Sequence, residues 1–589
     1  MKPVHEWARE LTTLTADPDV KLVSGRGGEA TLKVGSTYLH SLYRPREEAQ
    51  RLIDSAELDL TRPVLVIGVG LGYHVLELLN RGANVAVIEP DMGVAKLAID
   101  GLLKDADILL GIGDLDAIAD SPAFREFAQS IPQTLVHPPT AKLHPEYCEQ
   151  ALAMTTKAAL GAQRLRIAVV GPMYGGSLPI AGYLERAFRS LGHTTLLVDN
   201  SLAWELYQAT MQVKTKHAAN QLGEMLSNFL GEWSYARTAE FAPDICIVLA
   251  QAPVGKRFPV RLAQEGVATA FWYVENWRHL PYWRDIAPLY DCFFHIQPGE
   301  FERMLTEAGS LCHAFVQTAC DPETHKPVTL TEDEADEFGC DISFAGAGYY
   351  NRLQTFKGLT DYNFKIWGVD WHANELQPLL CRAGARFTPE LFAKVVAGSK
   401  ININLHSSTI HDGVDPQCDA INPRVFEIAA CGGFQLCDPC VGLDTLFDFE
   451  TELPVYRNLP ELREKIDYFL SHPDERAQFV ERARERVLRE HTYKHRAQAM
   501  LDVILEHQGA KILRKGIRIQ RTVTEMAERV KDEQLAQYLA SLPEDTLFTH
   551  ESVSATFGPG RENMPYSEGV FRYLSEVRSF AETLLASHR

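Results

Sequence analysis

Asp419 and Glu427 stand eight residues apart in the stretch SKININLHSSTIHDGVDPQCDAINPRVFEIAACGGFQLCD, residues 399–438. The types around them suit the binding of an anion. Ile401, Ile403 and Leu405 alternate with Asn402 and Asn404, which reads as a strand with amides on its polar face. A polar loop carrying His406, His411, Asp412 and Asp415 follows. Asn422 is expected to cap a helix, with Pro423 at its first position, where a missing N–H costs nothing. Val425, Ile428 and Ala429 give that helix an apolar face, Gly432 and Gly433 end it, and Phe434–Leu436 open the next strand. A strand, loop and helix N-terminus in this order directs free N–H groups and the positive end of the helix dipole at one spot. Arg424 adds a fork that matches phosphate, and Glu427, one turn in, suits a pair of sugar hydroxyls. The plain alternative is that Arg424 and Glu427 form an ordinary surface pair at i,i+3.

This arrangement resembles the donor site of GT-B glycosyltransferases, in which two acidic residues eight apart face the nucleotide sugar; here Asp419 takes the place of the usual first glutamate. More narrowly, NPRVFEIAACGGFQLCD resembles the CgeB-like (spore-maturation-type) branch of that superfamily. The resemblance covers roughly residues 164–501. It implies two Rossmann-like halves around a cleft, a nucleotide-sugar donor held as substrate, no separate cofactor and no catalytic metal. Further donor-binding residues follow from it. In CDISFAGAGYYNRLQTFKGL, Gly346 sits in the loop after the first strand of the donor half, with Arg352 and Lys357 as cations for the diphosphate. His406, Asn422, Arg424, Glu427, Gly432 and Gly433 complete the set. Asp419 joins the catalytic candidates.

Acid–base candidates come from FWYVENWRHLPYW, an aromatic cluster that holds Glu275 and His279. Aromatic faces with a few polar groups suit a sugar or an acceptor peptide, and an inverting transfer needs a base near the acceptor hydroxyl. Equally, the cluster suits a core patch under a loop. Retention and inversion both stay open.

A second motif lies near the N-terminus. In VLVIGVGLGYHVLELLNRGANVAVIEPD a strand, the turn Gly68, Gly70, Gly72, a helix and a strand ending in Glu89 succeed one another. That is dinucleotide or S-adenosylmethionine geometry, the acid binding ribose hydroxyls; the alternative is that the glycines only permit close strand–helix packing. With LHSLYRPREEAQRLI before it, the region resembles the N-terminal part of Maf (motility-associated factor) flagellin glycosyltransferases over roughly residues 35–120. The resemblance implies an accessory domain and favours flagellin, or another surface protein, as acceptor.

Composition narrows the classes. A formal net charge of −20 excludes a general nucleic-acid binder. The eleven cysteines are scattered and odd in number, which fits reduced thiols; Cys437 and Cys440 form one C-x-x-C with no second pair in sequence to complete a zinc site. His491 and His495 at i,i+4 have no obvious companions as metal ligands. Without an apolar leader or a run of about 18 apolar residues, the chain reads as cytoplasmic, with no membrane insertion.

The fold class expected is α/β: two Rossmann-like domains in a GT-B arrangement, an N-terminal Rossmann-like (methyltransferase-like) domain and a C-terminal helical extension. Boundaries are placed at 1–160, 161–335, 336–508 and 509–589. The acidic run TEDEADEFG reads as a solvated hinge, and Lys511, Arg514, Lys515 and Arg518 as a solvated stripe. Three functions stand side by side: a metal-independent glycosyltransferase, a methyltransferase using the glycine turn, and a non-catalytic module with a degenerate transferase fold.

Overall fold

The computed structural model describes residues 1–13, 19–515, 522–544, 546–548, 550–557 and 564–587. Residues 1–515 form one compact unit and 516–589 a second. Three mainly parallel sheets, in sequence order, and one small antiparallel sheet make up the first unit. In the first sheet the strands run Lys2–Pro3, Leu109–Ile112, Val85–Glu89, Val64–Ile67, Gln133–Val136, with only the first of these antiparallel to its neighbour. A small antiparallel sheet, Val20–Ser24, Ala30–Val34 and Thr37–Tyr38, lies in sequence between Lys2–Pro3 and the other four strands. The second sheet is all parallel, in the order Thr194–Val198, Arg166–Val170, Ile245–Leu249, Ala268–Tyr273, Cys292–His295, His313–Phe315. The third, also parallel, is Phe364–Trp367, Cys340–Ala345, Ser399–Asn404, Gln435–Cys437.

Continuous apolar runs predicted these strands because a parallel sheet covered by helices buries both faces. Ile245–Leu249 and Ala268–Tyr273 are buried at every position. Strands that offer a weaker pattern were not anticipated: Leu109–Ile112, Gln133–Val136, and His313–Phe315 at an edge. Leu453–Tyr456 contributes an isolated bridge, between Val455 and Cys437, rather than a strand. The acidic run is a helix, Glu332–Phe338: Thr331 caps Glu334 N and Glu334 reaches back to Thr331 N, and acids in the first turn suit the helix dipole.

The chain crosses between the second and third sheets twice, side by side. Cys320 bridges Thr492, with Cys320 N donating to His491 O and Tyr493 N to Cys320 O. The helix Tyr493–Lys515 then returns to pack on Pro145–Gly161, which covers the first sheet, and on Leu178–Ser190 of the second. It runs unbroken through 508–509. Lys511 pairs with Asp291 at 2.7 Å and Lys515 donates to Pro243 O at 2.6 Å, so these lysines are fasteners rather than a solvated stripe; Arg518 lies outside the described residues. The second unit contains the helices Val523–Ala527, Glu533–Ala540, His550–Ala555 and Tyr566–Ser587, with Val523, Tyr538, Leu539 and Val553 buried together. No helix among the described residues is long and apolar enough to cross a membrane.

Candidate functional site

The carboxyl ends of strands from the second and third sheets open onto one cleft of about 1300 Å³. From the second sheet come Gly175 and Ser177, Gln251, the run Glu275, Asn276, Arg278 and His279, and Thr318. From the third come Gly346, Tyr349 and Arg352, then Gly368–Asp370, then Ser407–His411 with Asp415. Asp419, Asn422, Arg424 and Glu427 complete that wall. Ligands of open α/β sheets lie at this end because loops and helix starts converge there.

Glu427 is the buried centre of the wall, 4% exposed, which removes the ordinary surface-pair alternative. Arg424 Nη1 donates to Glu427 Oε2, and the guanidinium lies 4.1 Å from the Phe392 ring. His325 Nδ1 accepts from Asp321 N at 3.0 Å, which puts the ring proton on Nε2. That Nε2 faces Tyr183 Oη at 3.4 Å and Glu427 Oε1 at 3.7 Å. Burial lowers the His325 pKa, so the ring is neutral and Glu427 Oε1 keeps acceptor capacity. Neither His325 nor Tyr183 was singled out in the sequence: one sits in the exit from the second sheet, the other in a helix whose periodicity shows only packing.

The helix starts differently from the expectation. It spans Arg424–Ala430 with Pro423 at the cap, and Asn422 makes no side-chain cap. The Asn422 amide instead donates to Asn404 Oδ1 at 2.9 Å, leaving its own Oδ1 unpartnered at the cleft. Val425 N bonds to Asn422 O, and Phe426 N and Glu427 N bond to Pro423 O. Most first-turn N–H groups are therefore used, and anion binding here falls to side chains.

The remaining donor candidates divide. Arg352 lines the cleft but is buried, with Nε and Nη2 donating to Leu405 O and Nη1 to Ala347 O. Desolvation lowers its pKa to about 10, so it stays charged, a brace for the wall. Gly346 approaches the Phe344 ring and lines the cleft. Lys357 does not line it; it points to Glu375 at 3.6 Å on an exposed surface. Gly432 and Gly433 are at the far end of the helix: φ is +76° at Gly432, and a side chain at Gly433 would strike Val396. His406 is buried behind the wall, with Nδ1 2.7 Å from Asp438 Oδ1.

Among the catalytic candidates, Asp419 is engaged with the facing sheet. Arg278 Nη1 donates to both its oxygens, at 3.1 and 2.8 Å, and Gln297 Nε2 donates to Oδ1 at 2.6 Å. It straps the two walls together, a role visible only once the fold is known. Glu275 and His279 line the wall from the second sheet. Burial pushes the Glu275 carboxyl up to about 7, the range of a general base at neutral pH.

The N-terminal glycine turn is filled by the chain itself. Gly68, Gly70 and Gly72 all have positive φ; a side chain at Gly70 would collide with His40, one at Gly68 with Thr140. His40 Nε2 accepts from Leu71 N at 2.8 Å. Glu89 is 2% exposed, its Oε2 accepting from Val69 N at 2.6 Å and Oε1 from Asp91 N at 3.0 Å. The glycines serve close packing, and the acid is turned inward to backbone amides rather than outward to a ribose. His491 and His495, at i,i+4, are likewise occupied: His491 faces Arg496 and Leu446 O, and His495 faces Thr492.

Residues 351–502, which include Asp419, Asn422, Arg424 and Glu427, match the family model Glyco_trans_1_2, described as glycosyl transferase-like. A Treponema pallidum (strain Nichols) protein described as uncharacterized is 46% identical over 83 residues, 13% of this chain and 28% of that protein's length. Among solved structures, sucrose-phosphate synthase from Thermosynechococcus elongatus matches at 12% identity and TM-score 0.40, covering 57% of this chain and 97% of that one. A glycosyltransferase from Rickettsia africae matches at 15% identity and TM-score 0.40, over 59% and 99%. Anabaena HepE in complex with UDP and glucose matches at 11% identity and TM-score 0.40, over 57% and 98%.

Proposed function

We propose that the protein is a GT-B glycosyltransferase that moves a sugar from a nucleotide-sugar donor to an acceptor hydroxyl. The observation that carries the reading is the single cleft into which both parallel sheets direct their carboxyl ends, walled on the glycosyl transferase-like side by Arg424, Glu427 and Asn422. In this reading Glu427 Oε1 takes the ribose hydroxyls and Arg424 bears on the diphosphate. The acceptor enters over Glu275 and His279. For an inverting transfer Glu275 takes the acceptor proton as the oxygen attacks the anomeric carbon, and the bonding pair leaves with the diphosphate. Cationic side chains meet the charge that develops, so no metal is required for that step. The CgeB-like and Maf-like resemblances make protein O-glycosylation, with flagellin or another surface protein as acceptor, the favoured setting, and residues 1–160 an accessory domain in a cytoplasmic enzyme.

The test is titration of UDP-, GDP- and dTDP-sugars into wild type and Glu427→Gln, with circular dichroism to confirm folding. Charge-assisted hydrogen bonds contribute roughly 1.5–3 kcal/mol each, so the variant should bind its donor about ten- to a hundredfold more weakly. Equal affinity in the two proteins removes Glu427 from the site. Donor binding without transfer or hydrolysis would favour a non-catalytic module.

A further inference from the structure

Two thiols meet at the edge of the cleft. Cys418 stands one residue before Asp419 and itself lines the cavity. Cys440, 22 residues further on, sits in the turn after the strand Gln435–Cys437. Their Sγ atoms are 3.4 Å apart, and the Cys440 thiol shares its proton between Cys418 Sγ and Cys418 O, the latter at 3.2 Å. Val441 N donates to the same carbonyl at 2.8 Å, so the two backbones are fastened side by side here. Nine of the eleven cysteines are buried, and Cys381 and Cys418 are the two that are part-exposed. Cys381 bonds to Leu379 O at 3.8 Å, and burial pushes its thiol up to about 11. Cys292 and Cys312 also share a hydrogen bond, but both are buried. Cys418 is thus the cysteine that combines a route to solvent with a thiol beside it.

The surroundings divide the pair into a nucleophile and a proton donor. The bond from Cys440 holds the Cys418 thiol below the usual range; burial works against this, and the charge of His406 adds to it. Burial disfavours that charge, but Asp438, 2.7 Å from His406 Nδ1, raises the imidazole pKa. The Cys440 thiol moves upward, through the same bond to Cys418. A thiolate that solvent reaches, with a second thiol against it, is the arrangement in which oxidation to a sulfenic acid is followed by a disulfide.

We propose that Cys418 is a peroxide-reactive thiol and that Cys440 resolves it, closing a reversible disulfide in the cleft wall. The Cys418 thiolate attacks one oxygen of a hydroperoxide and the O–O bond breaks. The other oxygen leaves as hydroxide or alkoxide and takes up the proton that Cys418 lost. The Cys440 sulfur then attacks the sulfenic sulfur, the S–O bond breaks, and the Cys440 proton leaves with that oxygen as water. Two thiols lose two electrons and the peroxide gains them. Reduction by a thiol restores the open pair. The sulfurs close from 3.4 Å to about 2.05 Å. Asp419, next in the chain, holds Arg278 and Gln297 of the facing sheet, so the bond acts on the strap between the two walls. The covalent step does not rest on the glycosyltransferase reading, since it is read as a peptide mass and not as sugar transfer.

Full-length protein, reduced and freed of reductant, is treated with stoichiometric hydrogen peroxide, blocked at its remaining thiols and digested. A peptide pair linked through Cys418 and Cys440 of one chain should appear, with about two free thiols lost per chain, and dithiothreitol should reverse both. In Cys440→Ser the sulfenic acid has no resolving thiol, so a dimedone-type probe should label Cys418 several-fold more than in wild type. Cys431→Ser, outside the pair, should still form the bond. Because Cys440→Ser risks misfolding, the wild-type peptide map is decisive by itself. Oxidation that spares Cys418, or that links Cys292 to Cys312 instead, overturns the proposal. So does Cys418 carried on to sulfinic acid while Cys440 stays a free thiol, which would mean that the second thiol does not resolve the first.

Discussion

In the proposed reaction Glu275 would tie stability to activity. Its carboxyl is pushed up to about 7 because burial disfavours the anion. A carboxyl whose folded pKa lies above its unfolded one stabilises the fold through its protonated form. That contribution is complete below the ordinary glutamate range and is lost as pH rises through about 7. Activity should run the other way: if Glu275 is the base, kcat/KM for transfer rises with pH with a midpoint near 7, and Glu275→Gln is slow and flat across that window. A variant with an unchanged profile would move the role to His279. The sequence brought Glu275, His279, Arg424 and Glu427 forward through their companions, and the fold gathers them in one cleft. It could not show that Asp419 is tied to Arg278 or that His325 faces Glu427, since those contacts join residues 141 and 102 positions apart. Nor could it distinguish Lys357, which points away from the cleft, from Arg352, which braces it. Spacing along a chain gives the order of cations and not the direction of their side chains.

Elements whose pattern is local were the most legible. Strands buried on both faces, glycine turns and proline-started helices carry their signal within a few residues, and their predicted bounds differ from the structure by one or two positions. Elements defined by their partners were not. The edge strand His313–Phe315 has few apolar residues to advertise it, and the 26-residue helix Lys216–Phe241 has a weak stripe with exposed Leu222, Met225 and Phe229. The first glycine turn was legible as geometry but ambiguous as chemistry, because its outcome depends on His40 and Thr140, far away in sequence. A prediction follows at this scale. Glu89→Ala leaves the buried Val69 N and the part-buried Asp91 N without their acceptor and should cost about 1–3 kcal/mol for each amide that water does not reach. It should nonetheless leave transfer by the folded protein near wild type. Isothermal titration with S-adenosylmethionine should show no binding to either protein; tight binding lost in the variant would restore the cofactor reading of the turn.

For the whole molecule, the helix Tyr493–Lys515 is the longest-range tie. It touches the helix Pro145–Gly161 at Gly509, where a side chain would press into Thr156 and Leu160. Gly509→Leu should therefore destabilise the first unit by about 1–3 kcal/mol through overpacking, read as a lower denaturant midpoint. A midpoint at or above wild type would mean that the helices separate easily and that this contact is not a fastening. The order of sheets along the chain could be seen in the sequence; this return could not, since an amphipathic helix does not name the surface it will cover.

That return has a consequence for the chain as it is made. At about 5–20 residues per second, the ribosome finishes Pro145–Gly161 well before it reaches Tyr493. For roughly tens of seconds the nascent first sheet carries a helix whose Gly509-facing side, with Thr156 and the buried Leu160, lacks its partner helix. Holding chaperones recognise such stretches. The interval during which this protein is most exposed to aggregation is thus set by the distance between two helices in the message.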